Sequence, residues 1–346
     1  MTSDTTSTEA AIIGAGPIGL EVACELRRAG IPYLHFDKGQ IASTIAWFPQ
    51  GMTFFSSNDR IAIAGLPIQT LHQAKCSKEE YLAYLRSVAL AFDLKVRTYE
   101  EVTAIDAQPG GGFVLTSRNS AGIQRHSVRR VVLAIGDMAG PRLLGIAGEE
   151  LAHVSHYFEE PHRYFRQKLL IVGGKNSAAE AALRCYHAGA EVTLSYRGAE
   201  FPPNSVKYWL LPELSGRIQR GEIGCYFRTA AAAISPTHVT LARCGGGSLE
   251  VEADFVLLLV GYLADSRLFR MVGVKLSGET GAPVFDEQTM ETNVPGLYVA
   301  GTATAGTQQS YRIFIENCHI HALRIAAALR GAPPPPAPPA ITAPES

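Results

Sequence analysis

Residues 11–37 read AIIGAGPIGLEVACELRRAGIPYLHFD, and this stretch decides the fold that we expect for the chain. A short apolar run leads into a turn with three glycines, an amphipathic segment follows, and a second apolar run ends on Asp37. This order predicts a strand, a tight loop, a helix and a second strand. In such a unit Gly14 permits the turn, Gly16 lets the backbone approach a pyrophosphate, and Gly19 lets the helix pack closely on the strand.

The same unit indicates a dinucleotide site. The unpaired N–H groups at the helix N-terminus favour an anion. Asp37 lies 23 residues after Gly14, where its carboxylate can accept hydrogen bonds from an adenosine ribose, and Lys38 follows it as a further candidate binding residue. A glycine fingerprint alone is a weak signal, but strand, helix and acid together favour a dinucleotide over a bland glycine-rich turn.

Residues 168–197 repeat this plan. KLLIVGG is followed by a helical segment, SAAEAALRCYHAG, and by a strand, EVTLSYR. Gly173 and Gly174 stand where the first unit has Gly14 and Gly16, and Ala178 replaces the third glycine. The repeat indicates an internal duplication of the nucleotide-binding unit, and two such units imply two dinucleotides.

The end of the second unit distinguishes the two nucleotides. Its second strand ends on Tyr196 and Arg197 rather than on an acid, so no carboxylate repels a 2′-phosphate and a guanidinium can pair with it. This favours NADPH over NADH. The alternative is that Arg197 is an ordinary exposed arginine beyond a strand.

Length and composition limit the function classes. A chain of 346 residues with 47% hydrophobic residues predicts two domains with real cores, and a net charge of −1 argues against nucleic acid or an anionic membrane as a partner. No apolar run is long enough to span a bilayer, and the first ten residues are not a secretory signal, so we expect a soluble cytoplasmic protein. The six cysteines form no C-x-x-C pair and no metal-binding spacing, which predicts reduced thiols and no metal site.

Other segments complete the expected organisation. Ser77 with Glu80 predicts a capping box that opens a helix to residue 92. Short runs at 102–105, 112–116 and 126–128 predict a small antiparallel meander, and a separate apolar strand is expected at 131–136. A strand pair at 284–301 ends on Gly301, and a last helix spans about 314–329. Residues 1–9 and the proline-rich residues 331–346 are expected to be disordered tails.

The paired motifs resemble the two-dinucleotide flavoprotein superfamily typified by thioredoxin reductase, and several segments resemble its bacillithiol disulfide reductase branch. Those segments are TFFSSNDR (53–60), HVSHYFEEPHRYF (153–165), GKNSAAEAAL (174–183), YRGAEFPPNSVKYWLLPEL (196–214), ETGAPVFDEQTMETNVPGLYVAG (279–301) and FIENCHIHALRIAA (314–327). The resemblance implies an α/β fold with two Rossmann-like domains. An FAD-binding domain of residues 10–145 and 266–330 would be interrupted by an NADPH-binding domain of residues 150–265.

The resemblance also implies roles for particular residues. Gly14, Gly16, Gly19 and Asp37 would hold the adenosine and pyrophosphate of FAD, and Gly301 would approach its ribityl and phosphate region. Ile315 and Glu316 would begin a helix whose N-terminus points at the isoalloxazine ring and stabilises negative charge on the reduced flavin. The residues implied for NADPH are Gly173, Gly174, Asn176, Ser177, Tyr196 and Arg197.

One position departs from the branch. Its members typically carry a cysteine in the pattern GxGPCGL, whereas this chain reads GAGPIGL with Ile18 at that place. Cys24 lies too far along the first helix to replace that thiol. Cys318, close to His319 and His321, can be read as a packing residue or as a redox residue.

These observations predict an NADPH-dependent FAD oxidoreductase that passes electrons to a small-molecule or small-protein acceptor, such as a low-molecular-weight disulfide like bacillithiol disulfide. No side chain is assigned as acid or base, since hydride transfer itself needs none. Alternatives are a ferredoxin or flavodoxin–NADP reductase, a flavin monooxygenase, and a non-catalytic nucleotide-responsive binding protein. By analogy with the superfamily, we expect a homo-oligomer.

Overall fold

The structure is a computed structural model that describes residues 8–309 and 311–336. The α-helices, in chain order, are α1 (Pro17–Arg28), α2 (Ser43–Ala46), α3 (Asn58–Ile61), α4 (Lys78–Ala91), α5 (Asn176–His187), α6 (Leu211–Gln219), α7 (Arg267–Met271) and α8 (His319–Leu329). Short 3₁₀ helices span Leu71–Gln73, His162–Tyr164, Pro203–Ser205, Gly301–Ala305 and Ile315–Asn317.

The strands, in chain order, are β1 (Thr8–Ile13), β2 (Tyr33–Phe36), β3 (Val96–Arg97), β4 (Glu101–Ala107), β5 (Phe113–Asn119), β6 (Gly122–Leu133), β7 (Gly140–Pro141), β8 (Val154–Ser155), β9 (Lys168–Val172), β10 (Glu191–Tyr196), β11 (Gly224–Phe227), β12 (Thr229–Ile234), β13 (His238–Arg243), β14 (Ser248–Glu252), β15 (Phe255–Leu258), β16 (Tyr262–Leu263), β17 (Leu276–Ser277), β18 (Ala282–Pro283) and β19 (Leu297–Val299).

The chain divides into two compact units. Within the described part, the first unit comprises residues 8–46, 51–140 and 262–336, and the second comprises residues 47–50 and 141–261. These divisions lie a few residues from the predicted boundaries at 145, 150 and 266, and they place residues 47–50 with the second unit. Each of three buried apolar clusters lies wholly within one unit.

The first unit is built on a seven-stranded sheet of order β3-β2-β1-β6-β5-β4, with β19 also paired to β6. β1, β2 and β3 run parallel, and β1 and β19 are both parallel to the end of β6. α1 forms because its apolar residues recur on one face: Leu20, Val22 and Leu26 are fully buried, whereas Arg27 and Arg28 reach solvent. That face packs against α8.

One strand of this sheet differs from its predicted form. The sequence predicts separate strands at 126–128 and 131–136, but β6 runs unbroken through twelve residues. Its first part is antiparallel to β5, and its last part is parallel to β1 and β19. Because neither glycine nor proline interrupts residues 123–133, nothing in the backbone ends the strand, and the partners change along it.

The second unit carries a five-stranded parallel sheet of order β11-β10-β9-β15-β8, with α5 and α6 packed on it. A three-stranded antiparallel sheet, β12-β13-β14, follows β11. The sequence reading did not identify this smaller sheet, whose strands have weak alternation because β12 is rich in alanine. The α/β fold with two Rossmann-type units, one on a mixed sheet and one on a parallel sheet, is the fold class that the sequence predicted.

Local details of the other predictions vary. Ser77 caps α4 and forms the capping box with Glu80. Thr8 and Glu9 were expected in a tail, but they belong to β1, and Glu9 pairs with Arg130. The rest of that predicted tail, and residues 337–346 of the other, lie outside the described residues; residues 332–336 follow the end of α8 without regular structure.

Candidate functional site

The three glycines of the first loop meet different surroundings. Gly14 has φ +105°, and a Cβ placed on it would lie 2.3 Å from the Ala134 carbonyl oxygen. A Cβ on Gly19 would lie 2.0 Å from the Gly14 carbonyl oxygen. A Cβ on Gly16 would meet no atom within 4 Å. Gly14 and Gly19 therefore serve the close packing of strand, loop and helix, whereas Gly16 borders open space at the start of α1.

Asp37 and His35 hold this loop from β2. The Asp37 carboxylate accepts hydrogen bonds from the backbone N–H of Ala15 at 2.7 Å and of Gly39 at 2.8 Å. His35 is fully buried, and its Nε2–H donates to the Gly14 carbonyl oxygen at 3.0 Å. Burial lowers the pKa of His35 to about 4, so the ring is neutral. Asp37 thus lies beside the loop, where its remaining acceptor capacity can bind a ribose, while His35 was not identified from sequence.

Lys38 takes a different position from its neighbour. It is exposed. Burial raises the pKa of Asp265, but hydrogen bonds from Arg267 and the positive charges of Arg267 and Lys38 outweigh it and lower that pKa. Lys38 therefore lies close enough to Asp265 to interact with its carboxylate.

Gly301 meets the first loop through Ile18. Gly301 has φ +69°, and a Cβ on it would lie 3.2 Å from the Ile18 Cβ. Its backbone N–H donates to Nδ1 of His321 at 3.1 Å. Burial lowers the pKa of His321 to about 4, so Nδ1 stays free to accept this bond. The structure thus joins the start of α1, the turn after β19 and α8, and His321 is a second residue that the sequence reading left without a role.

Ile315 and Glu316 lie in the 3₁₀ turn Ile315–Asn317 and not in an α-helix, since α8 begins only at His319. The predicted start of the last helix is therefore wrong by about one turn. Glu316 lies 3.8 Å from Arg60. His319 bonds Glu21 of α1 at 2.8 Å and the Arg60 carbonyl oxygen at 2.8 Å. Although burial opposes it, the bond to Glu21 raises the pKa of His319.

The loop of the second unit is covered by one of its own side chains. Gly173 has φ +153°, and a Cβ on it would lie 2.6 Å from the Leu259 carbonyl oxygen. A Cβ on Gly174 would lie 2.3 Å from the Tyr196 ring. The same ring stacks on Phe201 at 5.7 Å between centroids. The predicted match of Gly174 to Gly16 is therefore wrong: Gly16 is the N-cap of α1, whereas the N-cap of α5 is Lys175, and Gly174 lies one residue earlier under the Tyr196 ring.

The remaining predicted residues of the second unit surround the start of α5. Asn176 and Ser177 form its first turn, and the Asn176 Oδ1 accepts a bond from the Lys207 N–H at 2.6 Å. Arg197 is exposed after β10. Lys175, at the helix N-cap, was not identified from sequence. Burial and the positive charges of Arg197 and Arg142 lower its pKa.

Lys175, Arg142 and Arg197 form a cationic group at the Gly173 loop, which we call the cationic cluster. The charges of Arg142 and Arg197 repel the Lys175 ammonium group and so lower its pKa. An anion bound among the three would be stabilised. A phosphate monoester is the kind of group that such guanidinium and ammonium donors bind. The signal for Lys175 was its place directly after the two glycines.

Most of the cysteine thiols are buried, which disfavours a redox role for them. Four of the six cysteines are buried, namely Cys24, Cys76, Cys185 and Cys318, whereas Cys225 is half-buried and Cys244 is exposed. Burial raises the pKa of Cys318 above its usual range. Of its two readings, packing residue and redox residue, the structure favours the first.

The described residues contain neither a metal-binding cluster nor a membrane-spanning helix. No group of three or more His, Cys, Asp or Glu side chains among them is arranged to hold a metal ion. No helix in the described ranges is both long and apolar enough to cross a bilayer.

The residues of both loops fit dinucleotides. Open space at Gly16, with the start of α1 behind it, gives a cradle into which a pyrophosphate can approach the backbone. The cationic cluster offers positive charge beside the second loop, as a 2′-phosphate requires. Fold and loops together define a two-dinucleotide flavoprotein of the thioredoxin reductase-like type.

Comparison with known proteins gives the family. Residues 11–301 match the family of pyridine nucleotide-disulphide oxidoreductases, and the chain belongs to it. The chain is 35% identical to the bacilliredoxin reductase Bdr of Bacillus subtilis over 93% of its own length and 97% of that protein. It is an FAD-dependent NADPH oxidoreductase.

Solved structures agree with this assignment. The bacillithiol disulfide reductase Bdr of Bacillus cereus superposes with a TM-score of 0.89 at 34% identity, covering 94% of this chain and 99% of that one. The Staphylococcus aureus protein of the same name gives 0.88 at 34%, covering 94% and 98%. The alternative enzymes are only distant relatives: the ferredoxin–NADP reductase of Ignicoccus hospitalis is 23% identical over 86% of this chain and 90% of its own.

Proposed function

We propose that this enzyme passes electrons from NADPH through FAD to a low-molecular-weight disulfide of the bacillithiol type. The observation that carries the proposal is the likeness to bacillithiol disulfide reductases over 94% of the chain, together with the open cradle at Gly16 and the cationic cluster at the second loop. Bound FAD supplies the two-electron chemistry: it accepts a hydride equivalent from NADPH and passes two electrons onward. The protein supplies binding, orientation and electrostatics.

The first unit is proposed to hold FAD. Gly14, Gly16 and Gly19 shape the loop, and Asp37 fixes it through the Ala15 N–H while facing the adenosine ribose. Gly301, held by His321, would approach the ribityl and phosphate region. The turn with Ile315 and Glu316 would direct its first N–H groups at the flavin ring; Lys38 would contribute positive charge at the edge of the site.

The second unit is proposed to hold NADPH. The pyrophosphate would bind the first turn of α5, where Asn176 and Ser177 lie after Gly173 and Gly174. Arg197 would pair with the 2′-phosphate, and we add Lys175 to the predicted set on the basis of the cationic cluster. Tyr196, which packs on Gly174, would stack on the adenine side of the nucleotide.

Ile18 bears on how the electrons would pass from the flavin to the acceptor. Its side chain fills the space against Gly301 where members of the branch carry a thiol, so no protein disulfide can form at that place. The acceptor disulfide would therefore receive both electrons at the flavin directly. The S–S bond breaks, NADPH is oxidised to NADP⁺, and two thiols form with one proton drawn from water.

Anaerobic stopped-flow absorbance tests the proposal. Mixing the FAD-loaded enzyme with NADPH should bleach the flavin faster than NADH does, and bacillithiol disulfide should then restore the colour. Reduced ferredoxin formation and oxygen consumption are measured in parallel with the same reduced enzyme. Bleaching by NADPH without reoxidation by the disulfide would reject the acceptor, and a flavin that NADPH never reduces would leave a nucleotide-responsive binding protein.

Counting free thiols in the wild-type enzyme tests the thiol-free route. Trapping free thiols with an alkylating reagent, before and after anaerobic reduction by NADPH, should show the same number in the wild type. A change of two thiols on reduction would show that a protein disulfide takes part after all.

A further inference from the structure

Asp137 lies at the same edge of the sheet as both parts of the flavin site. It follows the end of β6 by four residues, and β6 lies between β1 and β19. The three strands are parallel there, so the segments that follow them meet at one edge. Gly14 follows β1 and Gly301 follows β19, which puts Asp137 between the two segments assigned to FAD.

Neutral groups surround the Asp137 carboxyl. The side chain is 6% exposed. Gln308 Nε2 donates to its Oδ2 at 2.8 Å, and the Thr302 side chain is a second hydrogen-bond partner. Gln308 is fixed in this orientation, because its Oε1 accepts from the N–H groups of Arg312 and Ile313 at 2.9 Å each. None of the described groups that hydrogen-bond Asp137 carries a positive charge.

Burial without a cation raises the pKa of the Asp137 carboxyl, against the hydrogen bonds from Gln308 and Thr302. Among the described residues, the Cys318 thiol is a titratable group close enough to interact with Asp137: its pKa is raised chiefly by burial and further by Asp137. That thiol is neutral, and its ionised form would be negative, so it cannot stabilise the carboxylate by charge. Added negative charge at this edge of the sheet would favour the protonated acid further.

We propose that Asp137 takes up a proton when the bound flavin is reduced and releases it when the acceptor is reduced. The proposal deepens the proposed function and rests on it. Reduction of a disulfide to two thiols by NADPH consumes two electrons, the hydrogen of the hydride and one further proton. Asp137 holds that proton as a carboxylic acid, gives it up as the two electrons leave the flavin, and regains one from water in the next cycle.

The pH dependence of the flavin midpoint potential tests the proposal without turnover. A two-electron reduction that also takes up a proton on Asp137 changes potential with pH more steeply than one that does not. The wild type should show a steeper segment across the pH range in which Asp137 is ionised in the oxidised protein and protonated in the reduced protein. Asp137→Asn, which keeps an oxygen for Gln308, should lose this segment.

Asp106→Asn is the matched control, because Asp106 is an exposed carboxylate on β4 of the same unit. Its potential should follow the wild-type curve at every pH. A curve for Asp137→Asn that parallels the wild type throughout would overturn the proposal. Titration with dithionite keeps this test separate from the proposed function, which fails if NADPH does not reduce the flavin or if the disulfide does not reoxidise it.

A second measurement needs no variant. In the reduced-minus-oxidised infrared difference spectrum of the wild type, a protonated carboxyl C=O band should gain intensity and should shift when aspartate is labelled with carbon-13. A spectrum without that gain would overturn the proposal, even if Asp137→Asn failed to retain FAD.

Discussion

Gly16 differs from Gly14 and Gly19 in what a side chain at its place would meet. Gly14 and Gly19 face backbone oxygens of the protein itself, and Gly16 faces open space. Sequence spacing predicted that all three glycines were needed, and the different tasks followed from the known geometry of such loops. The sequence could not show which side chains hold these turns in place. His35 bonds Gly14 and His321 bonds Gly301, and each pair is about twenty residues apart in the chain.

Replacement of these glycines by alanine should separate folding from binding. Gly16→Ala should change the free energy of unfolding of the apoprotein by no more than about 0.5 kcal/mol, because its φ of −71° suits alanine. It should weaken FAD binding at least tenfold, since the methyl group enters the cradle. Gly14→Ala should cost about 2 kcal/mol or more, because a left-handed φ and a backbone clash both oppose it. Urea unfolding and flavin fluorescence measure the two effects, and FAD affinity unchanged in Gly16→Ala would contradict the site.

Arg197→Ala should change nucleotide preference. Loss of a charged hydrogen bond to a phosphate costs about 1.5–3 kcal/mol, so kcat/KM for NADPH should fall about tenfold or more while that for NADH stays near the wild-type value. Arg125→Ala is the control, since Arg125 is an exposed arginine on β6 of the first unit. If the ratio of kcat/KM for NADPH to that for NADH were unchanged in Arg197→Ala, Arg197 would not bind the 2′-phosphate. It would then be an ordinary exposed arginine, the alternative that the sequence left open.

At the scale of elements, the ends of β1, β6 and β19 position the first site, and α8 secures them through His321. The sequence predicted β1, α1 and β2 well because their apolar residues recur with a clear period. The backbone also leaves no room for a side chain at Gly14 and Gly19, so glycine marks the loop. It divided β6 into two strands because alternation and continuous apolar character occur in successive halves. It placed the start of α8 too early because FIEN reads as helical, although Cys318 separates the 3₁₀ turn from the helix.

The buried histidines predict loss of stability in mild acid. The pKa of His35 and of His321 is about 4 in the folded protein and about 6.5 in the unfolded chain. Between these two pH values the unfolded state therefore binds more protons than the folded state does. Stability should fall as the pH drops from 6.5 towards 4. His319, with its raised pKa, acts in the opposite sense: its contribution is complete below pH 6.5 and is lost as the pH rises through its folded pKa.

His321→Asn tests this dependence, since the asparagine oxygen can still accept from the Gly301 N–H. Its free energy of unfolding should decline less than that of the wild type between pH 7 and pH 5, by about 2 kcal/mol. Urea unfolding of the apoprotein at the two pH values measures the difference. His72→Asn, at an exposed position with φ +58° that asparagine tolerates, should decline as the wild type does. Equal declines in His321→Asn and the wild type would show that His321 is not held neutral.

At the scale of the whole molecule, the second unit is almost one continuous segment, whereas the first is assembled from separate stretches. The resemblance to two-dinucleotide flavoproteins implied an interrupted first domain of this kind, and in the structure the chain returns to the first sheet with β19. The exact boundaries could not be predicted, since residues 47–50 join the second unit through contacts such as the bond from Gln50 N–H to the Glu159 oxygen.

Residues 141–261 alone are therefore expected to fold. They contain two complete apolar clusters. The fragment should unfold in one cooperative thermal transition and bind NADP⁺ more tightly than NAD⁺, as calorimetry would show. The same fragment with Arg197→Ala is the control and should lose that preference. A soluble fragment without a cooperative transition would show that the unit depends on the rest of the chain.

The isoleucine against Gly301 has a consequence for survival under chemical stress. Electrophiles and peroxides inactivate many redox enzymes by modifying an exposed, low-pKa sulfur at the centre of the reaction. All six cysteines lie in the described ranges, and the two that reach solvent, Cys225 and Cys244, both belong to the second unit. Because the proposed electron route uses no protein thiol, we expect this enzyme to keep its activity under alkylation or peroxide that inactivates a thiol-dependent enzyme.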